Sequence, residues 1–378
     1  MEFEEYINAY YGGTLGISKR YGIEKAAVTT TTMAEGLNTL YGAKVFSQLN
    51  TKSEVFKLLK KEAWTQSGWR VMTGRHDQTN GIEEGAALGT TAQPTFVEVK
   101  ANIAEVVTTW EVTTKAELLS EADDGLGNLA AFLRKENAEA HAYYIDAMLL
   151  SDSDTPSTAT ASDFETLDRV TLSQAASVAL NGSSVTDGDM WDVDDDGIDR
   201  STMTWADAYV SHNSGTERAL TLAMLDAAIT NSLEQGVNYS DLIILTGYDT
   251  YQDIKQLMMT PAATYNNNWG YNLAQGKAGN MNGVAGESGL AFDSRVGSYD
   301  GIPIFLSQHV ISDADSASRV YLLDMANLAF RVAAPTTYVD NTNIAVTQTL
   351  SKDYAFLTAG NLICYKFKTQ GSIRDIDA

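Results

Sequence analysis

Residues 81–120, GIEEGAALGTTAQPTFVEVKANIAEVVTTWEVTTKAELLS, run on into residues 123–150, DDGLGNLAAFLRKENAEAHAYYIDAMLL. From Val97 to Ile103 the apolar residues Val97, Val99, Ala101 and Ile103 alternate with Glu98, Lys100 and Asn102, the period of a strand with one solvated face. After Asp124 the period changes. Leu126, Leu129, Leu133, Asn137, Ala140, Tyr144 and Met148 recur at three- and four-residue steps, which predicts a helix over residues 125–149. At 1.5 Å per residue that helix is about 37 Å long. Upstream, between Arg75 and Gln93, the only large apolar residues are Ile82 and Leu88, with Gly74 just before the run and Gly81, Gly85 and Gly89 punctuating it. A hairpin tip of this composition cannot bury itself and projects toward a neighbour.

The order of a projecting hairpin with an E-G-A-A-L tip, a P-T-F re-entry strand and a long helix resembles the major capsid proteins of tailed double-stranded DNA viruses, bacteriophage or archaeal. Their HK97-type fold is shared with encapsulin nanocompartments. The resemblance implies an α+β fold with an N-terminal arm, a projecting β-hairpin (the E-loop), a spine helix with a peripheral sheet, and an axial domain. Laid on this chain, the arm is 1–66, the hairpin 67–115, the spine helix 116–150, an acidic insertion 151–215, the axial domain 216–335 and the return strands 336–378. GIPIFLSQHV (residues 301–310) and YLLDMANLAFRV (321–332) resemble pieces of the axial domain. Against this stands an all-β binding domain in which EEGAAL is merely a turn.

The implied function is self-assembly into pentamers and hexamers that close an icosahedral shell around packaged DNA. The implied partners are other copies of the chain, portal and scaffold proteins, a decoration or turret protein, and DNA through nonspecific contacts, with no membrane. The implied location is the virion capsid, assembled in the host cytoplasm. No helical scaffolding segment precedes the arm, so a separate scaffold or prior processing is expected. The family's lysine cross-link is expected to be absent, because no lysine lies between Lys61 and Lys100. An encapsulin-like shell around a cargo enzyme is the nearest alternative. A calcium-dependent surface-layer or adhesion protein is a second.

Charge sorts the segments. The net charge is -23, yet in residues 1–75 the bases outnumber the acids by three. Lys57, Lys60 and Lys61 are therefore either interior-facing contacts to DNA or the solvated face of a helix over residues 53–64. Residues 151–215 hold thirteen carboxylates against Arg169 and Arg200, which predicts an exposed insertion, since so many carboxylates cannot be buried unpaired. So acidic a surface also suits molar salt and a halophilic host. The acidic start MEFEEYINAYYGG has no secretory pattern, and no apolar run is long enough to span a membrane.

Chemistry is sparse. Asp192, Asp194, Asp196 and Asp199 alternate around Gly197 as in a calcium-binding loop, although Met203 stands where the bidentate glutamate belongs, so calcium ligation and a solvated acidic turn both remain open. No cofactor is required. GYNLAQGKA (270–278) has the wrong spacing for a phosphate loop. His76, His141, His212 and His309 lack metal-ligand spacing, no serine or cysteine sits in a nucleophile motif, and the chain is expected not to be an enzyme. Cys364, the sole cysteine, is expected to be packed. Glu83 and Glu84 on the hairpin tip, with Arg70 and Arg75 on its stem, are the expected inter-subunit contacts.

Overall fold

The computed structural model describes residues 54–75, 84, 93–120, 129–151, 163–181, 186–187, 191–192, 198–259, 297–312, 317–340 and 351–377. In chain order the elements are α1 (Val55–Leu58), β1 (Lys60–Ala63), β2 (Gly68–Gly74), β3 (Thr95–Ala101), β4 (Ala104–Thr113), α2 (Thr114–Ser120) and α3 (Leu129–Leu149). There follow α4 (Leu167–Val170), α5 (Gln174–Asn181), β5 (Thr186–Asp187), β6 (Trp191–Asp192), β7 (Ile198–Asp199), β8 (Tyr209–Ser211), α6 (Leu222–Glu234), β9 (Leu242–Thr246) and α7 (Tyr248–Met259). The last are β10 (Gly297–Tyr299), β11 (Ile302–Leu306), β12 (Val320–Asp324), β13 (Leu328–Asp340), β14 (Ser351–Cys364) and β15 (Gly371–Ile373). Among the described residues one compact unit comprises Val106–Tyr144 and Ala334–Ala359, and the other Glu54–Glu105, Ile145–Ala333 and Gly360–Ala378.

In the first unit a helix lies on a sheet in which β14 runs between β13 and β4. Alternation along β4 turns Trp110 and Val112 inward to meet Leu129 and Leu133 of α3 and Tyr354 and Phe356 of β14. The Trp110 ring is 5.0 Å from that of Phe356 and 5.7 Å from that of Tyr354. The expected helical stripe is corrected in its second half. Tyr144 is 56% exposed, and the inward face of α3 carries Leu129, Leu133 and His141 at four- and eight-residue steps instead. Periodicity placed the face one residue off because the sheet tolerates a bonded histidine where the pattern called for an apolar residue.

The second unit is built on a six-stranded sheet ordered β10-β11-β9-β12-β15-β8. The central strand β9 is buried at every position, as an apolar run without alternation predicts. Strands β10 and β11 form a hairpin in which Tyr299 faces Ile302, leaving Asp300 (φ 50) and Gly301 (φ +80) as a two-residue turn. Positive φ at both positions matches the strand twist, and glycine supplies it without strain. Helix α6 starts after the N-cap Thr221 and stops at Gly236 with φ +83.

Two further expectations are corrected. The helix over residues 53–64 is only α1, after which β1 pairs in parallel with β13, Lys60 opposite Ala329. The partner strand is far away in sequence, so no local signal announces it. Asp146 fixes the entry, its carboxylate accepting the backbone N–H groups of Glu54 (2.5 Å), Val55 (3.1 Å) and Phe56 (2.6 Å). The acidic segment 151–215, expected as exposed, contains a buried stretch from Phe164 to Leu172. Its carboxylates are not solvated but paired. Asp168 Oδ1 accepts from Arg319 at 2.8 Å, Arg374 at 2.7 Å and the Tyr321 hydroxyl at 3.1 Å, while Glu165 pairs with Arg169 at 3.4 Å. Arg200, also buried, donates to the carbonyls of Leu172, Ala206 and Arg169. Strand β8, from the same segment, closes the edge of the six-stranded sheet against β15.

Candidate assembly surface

The β2–β3 hairpin is antiparallel with Gly68 opposite Lys100, Trp69 opposite Val99, Arg70 opposite Glu98, Val71 opposite Val97 and Met72 opposite Phe96. The alternation that the sequence predicts holds as far as Ala101, with Val99 and Ala101 buried and Trp69, Val71 and Val97 half-buried on one face, but the strand ends there and Ile103 is exposed. The opposite face carries Arg70, Met72, Phe96, Glu98 and Lys100, all exposed. Met72 and Phe96, directly paired, make an apolar patch on what ought to be the solvated side. Beside it Arg70 Nε meets Glu98 Oε1 at 2.8 Å, an ion pair exposed on both sides. The register shifts between Met72 and Gly74, where the pairing resumes with Gly74 opposite Thr95.

The base of the hairpin is held by a polar cluster. Arg331 donates to the Gln66 carbonyl at 2.7 Å and to the Tyr365 hydroxyl at 3.2 Å, and Tyr365 in turn donates to Glu62 at 2.5 Å. That hydroxyl bond, more than the nearby Lys60 and Arg331 charges, holds the Glu62 carboxyl below the usual range, while burial raises the Tyr365 phenol. The Trp69 ring stands edge-on to Tyr365 at 6.1 Å. Strand β4, which the sequence assigns to the hairpin, belongs to the sheet with β14. The hairpin gains a third strand instead from the acidic segment, with β6 pairing Asp192 opposite Lys100.

The predicted site residues are dispersed. Arg70 is paired within its own chain, Arg75 is exposed, Glu84 lies on an exposed turn, and Glu83 lies outside the described residues. Lys57 is exposed on α1, and Lys60 pairs with Glu62 at 3.0 Å. Lys61 has an exposed stem, but its ammonium turns back over the Phe56 ring at 3.6 Å and donates to the Phe56 carbonyl. Burial there brings its pKa down to about 8, against the pull of Asp146. Asp192 sits on β6 and Asp199 on β7, whose partner is β5, while Asp194 and Asp196 lie outside the described residues. The Asp199 carboxylate already accepts the Ser201 N–H at 2.9 Å and its hydroxyl at 2.8 Å, which holds its pKa below the usual value. No cluster of three or more metal-ligating side chains occurs among the described residues. No helix among them is long and apolar enough to cross a membrane. Cys364 is buried, which pushes its thiol up to about 12 and leaves it without nucleophilic character.

No family model and no curated protein matches the chain. Solved structures do. A chain of the cyanophage A-1(L) capsid asymmetric unit is 16% identical over 93% of this chain and 100% of its own, with a TM-score of 0.62. The chain has the HK97-type capsid fold. The capsid of an empty GTA particle shares that fold at 11% identity over the same 93% and 100%, with a TM-score of 0.56. So does the holo-SrpI encapsulin complex of Synechococcus elongatus PCC 7942, at 10% identity over 93% and 96%, with a TM-score of 0.51. Within the HK97-type fold the apolar pair Met72 and Phe96 was missed by the sequence reading, yet a signal was present. Phe96 occupies a polar-phase position of the Val97–Ile103 alternation.

Proposed function

We propose that this chain is the major capsid protein of a tailed double-stranded DNA virus, self-assembling into pentamers and hexamers that close an icosahedral shell around packaged DNA. The observation that carries this reading is the end-to-end likeness to a capsid chain at a TM-score of 0.62. The β2–β3 hairpin is its E-loop, and the Met72–Phe96 patch is the surface a neighbouring subunit covers. Each such contact is modest, but closure of the lattice adds them over every subunit. Arg70, Arg75, Glu83 and Glu84 are the proposed polar rim of that contact. Lys57 and Lys60 are proposed to meet DNA, whereas the Lys61 ammonium, held against Phe56, contributes less. Portal, scaffold and decoration proteins are the further partners of this reading. The segment from Asp192 to Asp199 is proposed as a calcium site that stiffens the acidic segment, and a calcium-dependent rise in melting temperature reversed by a chelator tests it.

The likeness to an encapsulin favours one second reading, a shell around a cargo protein. Electron microscopy of particles from the native source, with a nuclease-protection assay on the same sample, separates the two. Shells holding protected DNA support the capsid reading. Protein-filled shells without DNA transfer the assignment to the compartment, and failure to assemble at any salt concentration overturns both.

A further inference from the structure

His141 is 2% exposed, on the face of α3 that meets the sheet within the first unit. Its Nδ1 lies 2.8 Å from the Thr108 hydroxyl of β4, and its Nε2 lies 2.8 Å from the Thr358 hydroxyl of β14. Thr358 continues to the Thr336 hydroxyl of β13 at 2.8 Å. One imidazole therefore ties the helix to two strands directly and, through Thr358, to a third. A neutral ring donates from one nitrogen and accepts at the other, so the four groups form a chain in which every bond has one donor, whichever tautomer is present. The Phe356 ring flanks the imidazole at 6.1 Å.

The groups facing the ring are hydroxyls and a phenyl. The charged residues of the same elements have other engagements or positions: the Asp146 carboxylate accepts the backbone N–H groups of Glu54, Val55 and Phe56, Arg134 lies over Tyr338, Lys135 pairs with Glu139, and Lys352 pairs with Glu117. Glu111, Glu136, Asp340 and Asp353 are at least partly solvent-accessible. Among the described residues no carboxylate is bonded to the ring to receive an imidazolium. Protonation makes both nitrogens donors, which forces a hydroxyl hydrogen out of the chain and places an uncompensated charge in a dry interface.

We propose that His141 is an acid-sensitive joint between residues 129–144 of α3 and the sheet beneath them, closed while the imidazole is neutral and loosened when it gains a proton. Burial lowers its pKa from the ordinary value of 6.5, the direction such a joint requires. The sign follows. The closed state releases its proton more readily than the open one, so closure is complete above about pH 6.5 and weakens as pH falls from there toward the lowered value.

Amide exchange on the full-length chain from pH 7.5 to 4.5, corrected for intrinsic rates, tests this, with exchange at imidazole carbon C2 reporting the titration of His141. Protection over residues 106–113, 129–144 and 351–359 is expected to fall by up to about tenfold per pH unit just below pH 6.5. Residues 242–246 are expected not to follow. His141→Gln keeps a neutral donor and acceptor and is expected to flatten the slope. A wild-type profile flat in pH, an equal slope in His141→Gln, or His141 titrating at or above 6.5 overturns the proposal. Should the variant fail to fold, the wild-type C2 titration decides.

Discussion

Met72 and Phe96 stand directly opposite each other across β2 and β3, 50% and 60% exposed on the face that also carries the Arg70–Glu98 ion pair. A lone exposed apolar side chain needs no explanation, but a cross-strand pair of them on the exposed face of a hairpin stem does.

Phe96→Ser is expected to leave the stability of the isolated subunit within about 0.5 kcal/mol, because the ring contributes little to the chain's own core. Assembly is expected to suffer. Covering such a side chain is worth about 1.5–3 kcal/mol, so the critical concentration for shell formation, measured by sedimentation, should rise at least tenfold. An unchanged critical concentration would remove this face from the subunit contact.

Arg70→Ala removes only an exposed pair within the chain, worth about 0–1 kcal/mol and weaker in salt. A urea melt of the subunit is expected to shift by no more than that. A larger loss confined to the assembled shell would place Arg70 at the interface.

Asp168→Asn leaves Arg319 and Arg374 buried without their shared carboxylate. Loss of one partner of a buried ionic group typically costs about 3–5 kcal/mol, so the urea midpoint should fall sharply. Tyr321→Phe removes one hydroxyl bond to the same oxygen and is expected to cost only about 1 kcal/mol. Equal losses from the two would contradict the geometry.

Gly360 lies within β14 where an added Cβ would come 2.2 Å from the Arg331 carbonyl oxygen and 2.8 Å from the Phe330 ring. Gly360→Ala is expected to destabilise by about 1–3 kcal/mol as the neighbouring strand shifts, read as a drop in melting temperature. Since Arg331 also holds the hairpin base, exchange over residues 68–74 should rise in the same variant.

Cys364 is expected to resist iodoacetamide at pH 8 in the native chain and to react fully in denaturant, as a buried thiol with a pKa of about 12 must. Mass spectrometry of the two samples measures it.

The amino-acid order by itself determined the strand at Val97–Ala101, the long helix, the buried strand at Leu242–Thr246, the helix after it, and the strand from Ile302 to Leu306, because each is a local period or an uninterrupted apolar run. It also carried the resemblance that the fold comparison bears out. Only the tertiary structure decided where residues 60–63 go, since a parallel partner at Ala329–Val332 leaves no trace in the neighbouring sequence. It likewise turned part of an acid-rich stretch from surface to core. Asp168 is paired by Arg319 and Arg374, and no count of charges along the segment reveals cations brought from 151 and 206 residues away. The same holds for His141. Its role as a bonded link between helix and sheet exists only because Thr108 and Thr358 reach it from two strands. Local periodicity is written in neighbouring residues, whereas burial of charge depends on which distant groups fold against it.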